Sequence, residues 1–187
     1  MKVLSKNSVM EFVKKTAILW VMIILILILS VISPSFFRGQ NLLNIIKQAS
    51  ITGVIGVGMT FVLITGNEDA ARLSGVSTAK VKLFVYVFCG ILSGIAGILI
   101  CSRITSGNGT VAEGYEMNAI SAAVIGGVSM TGGSGNVLGM VVGAMILTII
   151  QNSFDIMGVN SFYQNIIKGI IILLAVFLDL RGKKKKN

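Results

Sequence analysis

Histidine does not occur in the chain, and only two cysteines, one proline and seven acidic residues are found among its 187 residues. The missing imidazole removes the usual metal ligand and the usual general base. Cys89 and Cys101 fall twelve positions apart on one expected helix. At about 1.5 Å of rise per residue they stand about 18 Å apart, so they do not bridge and read as small apolar fillers. No Gly-x4-Gly-Lys-Ser/Thr phosphate loop occurs. Gly133, Gly135 and Gly139 imitate a dinucleotide fingerprint only loosely, with the wrong spacing and no strand before them. Charge is scarce as well, at 12% of residues.

What fills the chain instead is apolar. Hydrophobic residues make up 54%, and the mean hydropathy is +0.89. A water-soluble domain of this size cannot hide so much apolar surface, whereas lipid accepts it if each crossing is a helix that closes its own backbone hydrogen bonds. The charges lie in patches. Between Lys15 and Arg38 lie 22 uncharged residues, between Lys47 and Glu68 another 20, between Lys82 and Arg103 another 20, and between Glu116 and Asp155 a run of 38. About 20 residues suffice for a hydrocarbon core of about 30 Å. The expected fold is therefore all-α, a polytopic membrane helix bundle of about six spans: Thr16–Ile32, Ala49–Thr65, Leu83–Cys101, Met117–Met130, Val137–Ile150 and Tyr163–Leu178.

An even number of spans puts both termini on one side. Twelve of the sixteen basic residues (those before the first span, Arg72, Lys80 and Lys82 after the second, and Arg181 with Lys183–Lys186 at the end) would share that side. By the positive-inside rule both termini are cytoplasmic. The net charge of +9 is thus juxtamembrane and faces membrane lipid, not nucleic acid. The first apolar run is longer than a secretory h-region and lacks an Ala-x-Ala site, so it is expected to remain as an uncleaved span. Ser33-Pro34-Ser35 ends it, and Trp20 with Phe36-Phe37 are plausible interface anchors. Lys168, early in the last span, is expected to reach outward towards Asp155.

Glycine is abundant, with 22 residues. The groups Gly53, Gly56, Gly58; Gly90, Gly94, Gly97; and Gly135, Gly139, Gly143 predict close helix contacts, the last group forming two overlapping GxxxG pairs. Gly126-Gly127 and Thr131-Gly132-Gly133-Ser134-Gly135 interrupt the long uncharged run. They fit a broken or re-entrant helix, or an ordinary cytoplasmic turn.

The segment after the second expected span carries most information. Asn67 is a good N-cap, Glu68 and Asp69 favour the first helical turn, Glu68 and Arg72 form an i,i+4 pair, and Ser74-Gly75 supplies a stop. A short cytoplasmic helix follows, with Ala70 and Ala71 giving it a small-residue surface and Leu73 closing it.

Asp69-Ala70-Ala71-x-x-x-Gly75 resembles the EAA-type coupling motif of ABC importer permeases. The surrounding Gly66–Val76 stretch, Gly114-Tyr115-Glu116-Met117-Asn118-Ala119-Ile120, Ala122–Gly127, Gly132–Gly135 and the ending from Lys168-Gly169 to Asp179 resemble the ribose-type monosaccharide ABC permeases. Residues 1–66 resemble the amino-terminal part of that family, 67–181 its carboxyl-terminal part, and 182–187 form a basic tail of one permease domain. In the family several spans separate the two parts, so the chain reads as a permease with an internal deletion at Gly66-Asn67.

The resemblance implies a permease subunit for a monosaccharide such as ribose in the bacterial inner membrane, with no cofactor of its own and no enzymatic activity. ATP would be hydrolysed by a separate ABC ATPase subunit gripping residues 67–75. A periplasmic or extracellular sugar-binding protein and a second permease chain would complete the assembly. Asn118, Ser121, Gly126, Gly127, Ser129 and Thr131 are candidate residues of the substrate path; the polar ones serve equally as partners for neighbouring backbone. Two further readings stay open: a truncated remnant that inserts without transporting, and a small helical channel or accessory subunit.

Overall fold

The computed structural model describes residues 6–33 and 35–184, with side chains described for 18–31, 33, 35–68, 70–174 and 176–177. Its elements are α1 (Lys6–Ile32), α2 (Gly39–Ile64), α3 (Glu68–Leu73), α4 (Thr78–Ile104), α5 (Tyr115–Ile125), α6 (Val137–Ile156) and α7 (Ser161–Lys184). Every described element is a helix, as the composition requires of a multi-pass membrane protein. Among the described residues α2, α4 and α6 are long and apolar enough to cross a membrane, and α1 and α7 carry the shorter apolar stretches Ile18–Val31 and Ser161–Leu174.

The expected span Met117–Met130 is corrected. Helix α5 has eleven residues, about 16 Å of helix, or roughly half the hydrocarbon thickness. Both ends are fixed by glycine. Gly114 caps the start at φ +84, and Gly127 at φ +82 closes the end. There the Gly127 N–H donates to the Val124 carbonyl and the Val128 N–H to the Ala123 carbonyl, both at 2.9 Å. This double bond pattern satisfies the last carbonyls and turns the chain away. Tyr115 packs against the Ile51, Ala96 and Ile100 cluster, so α5 begins below the outer ends of α2 and α4.

Contacts along the helices give their directions. Gly58 of α2 lies against Cys89 of α4, and Phe61 meets Phe88 edge-on at 5.3 Å, while Ile51 packs with Ala96 and Ile100. α2 and α4 are therefore antiparallel. In α5 and α6, Gly126 lies against Gly139 and Met140, and Asn118 bonds to Gln151, so they too are antiparallel. The Gly133 N–H donates to the Ile64 carbonyl at 2.9 Å. That bond brings the α5–α6 turn to the carboxyl end of α2. The end of α2, α3, the start of α4 and the α5–α6 turn thus share one end, which the basic residues assign to the cytoplasm.

The centre combines small and large residues: Ala122, Ala123 and Ala144 are buried with Val128, Met140 and Leu147. The GxxxG stripe of α6 does what its spacing predicts. Gly139 faces the Gly126 carbonyl and Gly143 the Ala122 carbonyl, so a side chain at either would collide with backbone. The glycines of α4 do not: nothing lies within 4 Å of a Cβ added at Gly90, Gly94 or Gly97, because that stripe faces outward. Phe36 also departs from expectation. It is buried with Ile45 and Ile149 under the α1 stripe Met22, Leu25, Ile26 and Leu29, while Phe37 alone stays exposed.

Candidate functional site

Helix α3 is short, and its ends are tied at both termini. The Asn67 side chain accepts from the Ala70 N–H at 3.3 Å. At the other end Gly75 adopts φ +74, its N–H donating to the Arg72 carbonyl and that of Val76 to the Ala71 carbonyl, each at 3.0 Å. Ser74 Oγ donates to the Ala70 carbonyl at 2.9 Å. Cap, helix and stop fall where the sequence places them, and the hydrogen bonds explain why so short a helix holds.

The expected Glu68–Arg72 pair is replaced. Lys82, one turn into α4, reaches back to Glu68 Oε1 at 2.6 Å. That bond, with a smaller contribution from the Arg72 charge, holds the Glu68 carboxyl below its ordinary value of 4.5. Arg72 stays exposed, and the side chain of Asp69 lies outside the described residues. The pairing tethers α3 to the helix that follows it, which fixes the helix's direction as well as its ends.

Apolar side chains stand outward on and just after α3, beside the exposed Arg72. Leu73 is 91% exposed, and Ala70 and Val76 are exposed beside it. A leucine left so open on a helix with both ends fixed is a knob without a hole in this chain.

Beneath α3 lies the α5–α6 turn. Gly132 and Gly133 adopt φ +78 and +80. A Cβ on Gly132 would stand 2.5 Å from the Asn67 nitrogen and 2.8 Å from the Gly66 carbonyl carbon. The turn is held by the Ser129 N–H donating to the Ser134 carbonyl at 3.0 Å and by a 3.0 Å contact between the Ser129 and Thr131 hydroxyls. At Gly132 backbone therefore meets backbone, while at Gly133 the Asn67 side chain lies against the turn.

The candidate path residues separate into two groups. Gly126, Gly127, Ser129 and Thr131 belong to this turn, at the cytoplasmic end. Ser121 is buried and donates to the Met117 carbonyl at 2.7 Å, a bond within its own helix. Asn118 belongs to a polar seam that sequence reading missed. Gln48 of α2 donates to Gln151 of α6 at 3.1 Å, and Gln151 donates to Asn118 of α5 at 2.9 Å. Nearby in register, Thr52 and Thr148 bury their hydroxyls, and Asn152 its amide oxygen, without a protein partner. The signal was present in the sequence: a Gln in an apolar helix needs a partner across the bundle. Lys168 bonds Asn165 at 3.3 Å rather than Asp155, whose carboxylate accepts from Gln164 at 3.0 Å.

The chain is similar in sequence to known proteins. The profile of the family described as "Branched-chain amino acid transport system / permease component" matches residues 56–176. The chain is similar to the ribose import permease protein of Escherichia coli, 44% identical over 123 residues, which are 66% of this chain and 38% of that protein. It is similar to the ribose import permease protein of Bacillus subtilis, 45% identical over 116 residues, 62% of this chain and 36% of that protein. The L-arabinose transport system permease protein of Escherichia coli is 41% identical over 130 residues, 70% of this chain and 40% of that protein. The chain spans about two fifths of the length of these relatives. No solved structure matches it. With its α3 knob, glycine seat and packed helices, the chain belongs to the family of permease components whose profile covers residues 56–176.

Proposed function

We propose that the chain is a permease subunit of a bacterial inner-membrane importer for a monosaccharide such as ribose, worked by a separate ABC ATPase through residues 67–75. The observation that carries this reading is the exposed Leu73 on a doubly capped helix whose base rests on Gly132-Gly133. An ATPase groove that takes Ala70, Leu73 and Val76 would move α3 as a unit. Backbone contact would pass the displacement to α2 and to the α5–α6 hairpin. ATP binding favours one arrangement of the ATPase pair, so it biases the bundle only as far as the two arrangements differ in affinity.

The sugar class follows from relatives named for ribose, xylose and L-arabinose. An external sugar-binding protein would deliver the solute and a second permease chain would supply the other half of the route. The permease itself performs no covalent chemistry and carries no cofactor. Copurification with a Walker-containing ATPase tests the coupling. The complex should survive Arg72→Gln and be lost with Ala70→Glu; retention with Ala70→Glu refutes the role of α3.

A second reading is favoured by the coverage of about two fifths of the relatives: a remnant that inserts and packs without transporting. Uptake of labelled ribose in cells lacking their native permease separates the two. Uptake above background establishes transport, and no uptake despite verified insertion establishes the remnant.

A further inference from the structure

Four basic residues stand on the external side, where the positive-inside rule disfavours them, and topology explains none of them. Two of these, Lys47 on α2 and Arg103 in the last turn of α4, line one cavity of about 340 Å³ together with Ser50 and Ser102. Among the described residues no carboxylate pairs with either cation. A second cavity, about 430 Å³, continues from it through the shared residues Ile46 and Ser50. Its walls are apolar: Gly53, Val54 and Val57 from α2, with Val141 and Met145 from α6. Nothing lies within 4 Å of a Cβ added at Gly53, so the floor of this groove is open.

The two cavities adjoin along Ile46 and Ser50, the cationic one on the α4 side and the apolar one on the α6 side, which reaches deeper, to Val57. From Ile46 to Val57 it descends α2 by eleven residues, about 16 Å. One leaflet of a hydrocarbon core of about 30 Å is about 15 Å deep. The charged mouth therefore lies at headgroup level and the apolar part runs the depth of a single leaflet. The adjoining α4 is apolar and mostly uncovered, as a helix facing lipid is.

We infer that this groove seats an anionic phospholipid of the outer leaflet, its phosphate between Lys47 and Arg103 and one acyl chain along Gly53, Val57 and Met145. A soluble anion would use the mouth but leave the apolar groove empty. The joined charge and depth favour an amphipathic occupant. Each cation near a charged headgroup strengthens binding about fivefold, and two about thirtyfold.

Native mass spectrometry of the protein extracted from vesicles with equal phosphatidylglycerol and phosphatidylcholine of matched chains tests this. Wild type should retain phosphatidylglycerol in preference. The double variant Lys47→Gln, Arg103→Gln should bind it about thirtyfold more weakly. Gly53→Leu fills the groove and should weaken retention with both cations in place, while circular dichroism verifies that the variants stay helical. Equal retention of the two lipids, or unchanged retention in the double variant, overturns the inference. So does complete displacement by inorganic phosphate alone, which identifies a soluble anion site. A lipid-free dimer whose formation is blocked by Gly53→Leu overturns it too, and assigns the groove to a second copy.

Discussion

Gly132→Ala isolates the contact that seats α3. The position carries two separate demands. Its φ of +78 is left-handed, which costs a residue with a Cβ about 1–2 kcal/mol. The new Cβ would also stand 2.5 Å from the Asn67 nitrogen, and forcing backbone apart in packed structure costs about 1–3 kcal/mol more. The sum is about 2–5 kcal/mol. Gly127→Ala is the matched control, because its φ of +82 imposes the same strain while nothing lies within 4 Å of its Cβ. It should lose only about 1–2 kcal/mol. Unfolding both variants in mixed micelles by graded sodium dodecyl sulfate measures the difference. Limited trypsin digestion at Arg72 measures whether α3 has come loose. Gly132→Ala should unfold earlier than Gly127→Ala and be cut faster at Arg72. Equal unfolding of the two variants, with unchanged cleavage at Arg72, refutes the seat.

Three other outcomes follow from the geometry. The Glu68–Lys82 pair, with Glu68 lowered from 4.5, contributes fully at neutral pH and fades as pH falls through the lowered value. Protection factors of the α3 amides, corrected for intrinsic exchange at each pH, should therefore fall below about pH 4.5 in wild type and be already low at pH 7 in Lys82→Gln. Gln151→Leu strands Gln48 and Asn118 and should cost about 1–2 kcal/mol in micelle unfolding, a value set by two interhelical bonds within a membrane protein. Gly143→Leu drives α6 off the Ala122 carbonyl and should destabilise by about 3 kcal/mol or more, whereas Gly94→Leu, in open space on α4, should stay within about 0.5 kcal/mol in the same assay.

Local signals were legible in the sequence. Asn67 caps α3 and Gly75 stops it because cap and stop chemistry act within a few residues. Gly139 and Gly143 face a neighbour because their spacing sets one side of α6, whereas Gly135 lies in the turn before it. Charge patches gave the end of α2 to within one residue and both ends of α4 to within five, but placed the start of α2 ten residues late, because residues 39–48 continue the helix past Lys47. What escaped was decided across the bundle. Glu68 finds Lys82, fourteen positions away, because the loop after α3 folds back, and no i,i+4 rule sees that. An uncharged run of 38 residues cannot reveal that Gly114 delays the start of α5 to the level of Ile51 and that the helix ends after eleven residues. The glycines of α4 share the spacing of those in α6 but turn outward. Spacing defines a stripe, not what it meets. The polar seam from Gln48 to Asn118 required three helices to be placed before its members came together.

The proposed coupling role of α3 is tested most directly by site-specific crosslinking. In a background with Cys89→Ser and Cys101→Ser, Leu73→Cys presents a single thiol on the exposed knob, and Thr110→Cys presents one on the external loop. Co-expressed with the ABC ATPase of a ribose importer, Leu73→Cys should crosslink to the ATPase, with a yield that changes on ATP binding, and should resist labelling from outside the cell. Thr110→Cys should label from outside and form no crosslink. Labelling of Leu73→Cys from outside, or the absence of any crosslink in a complex that copurifies intact, contradicts the account.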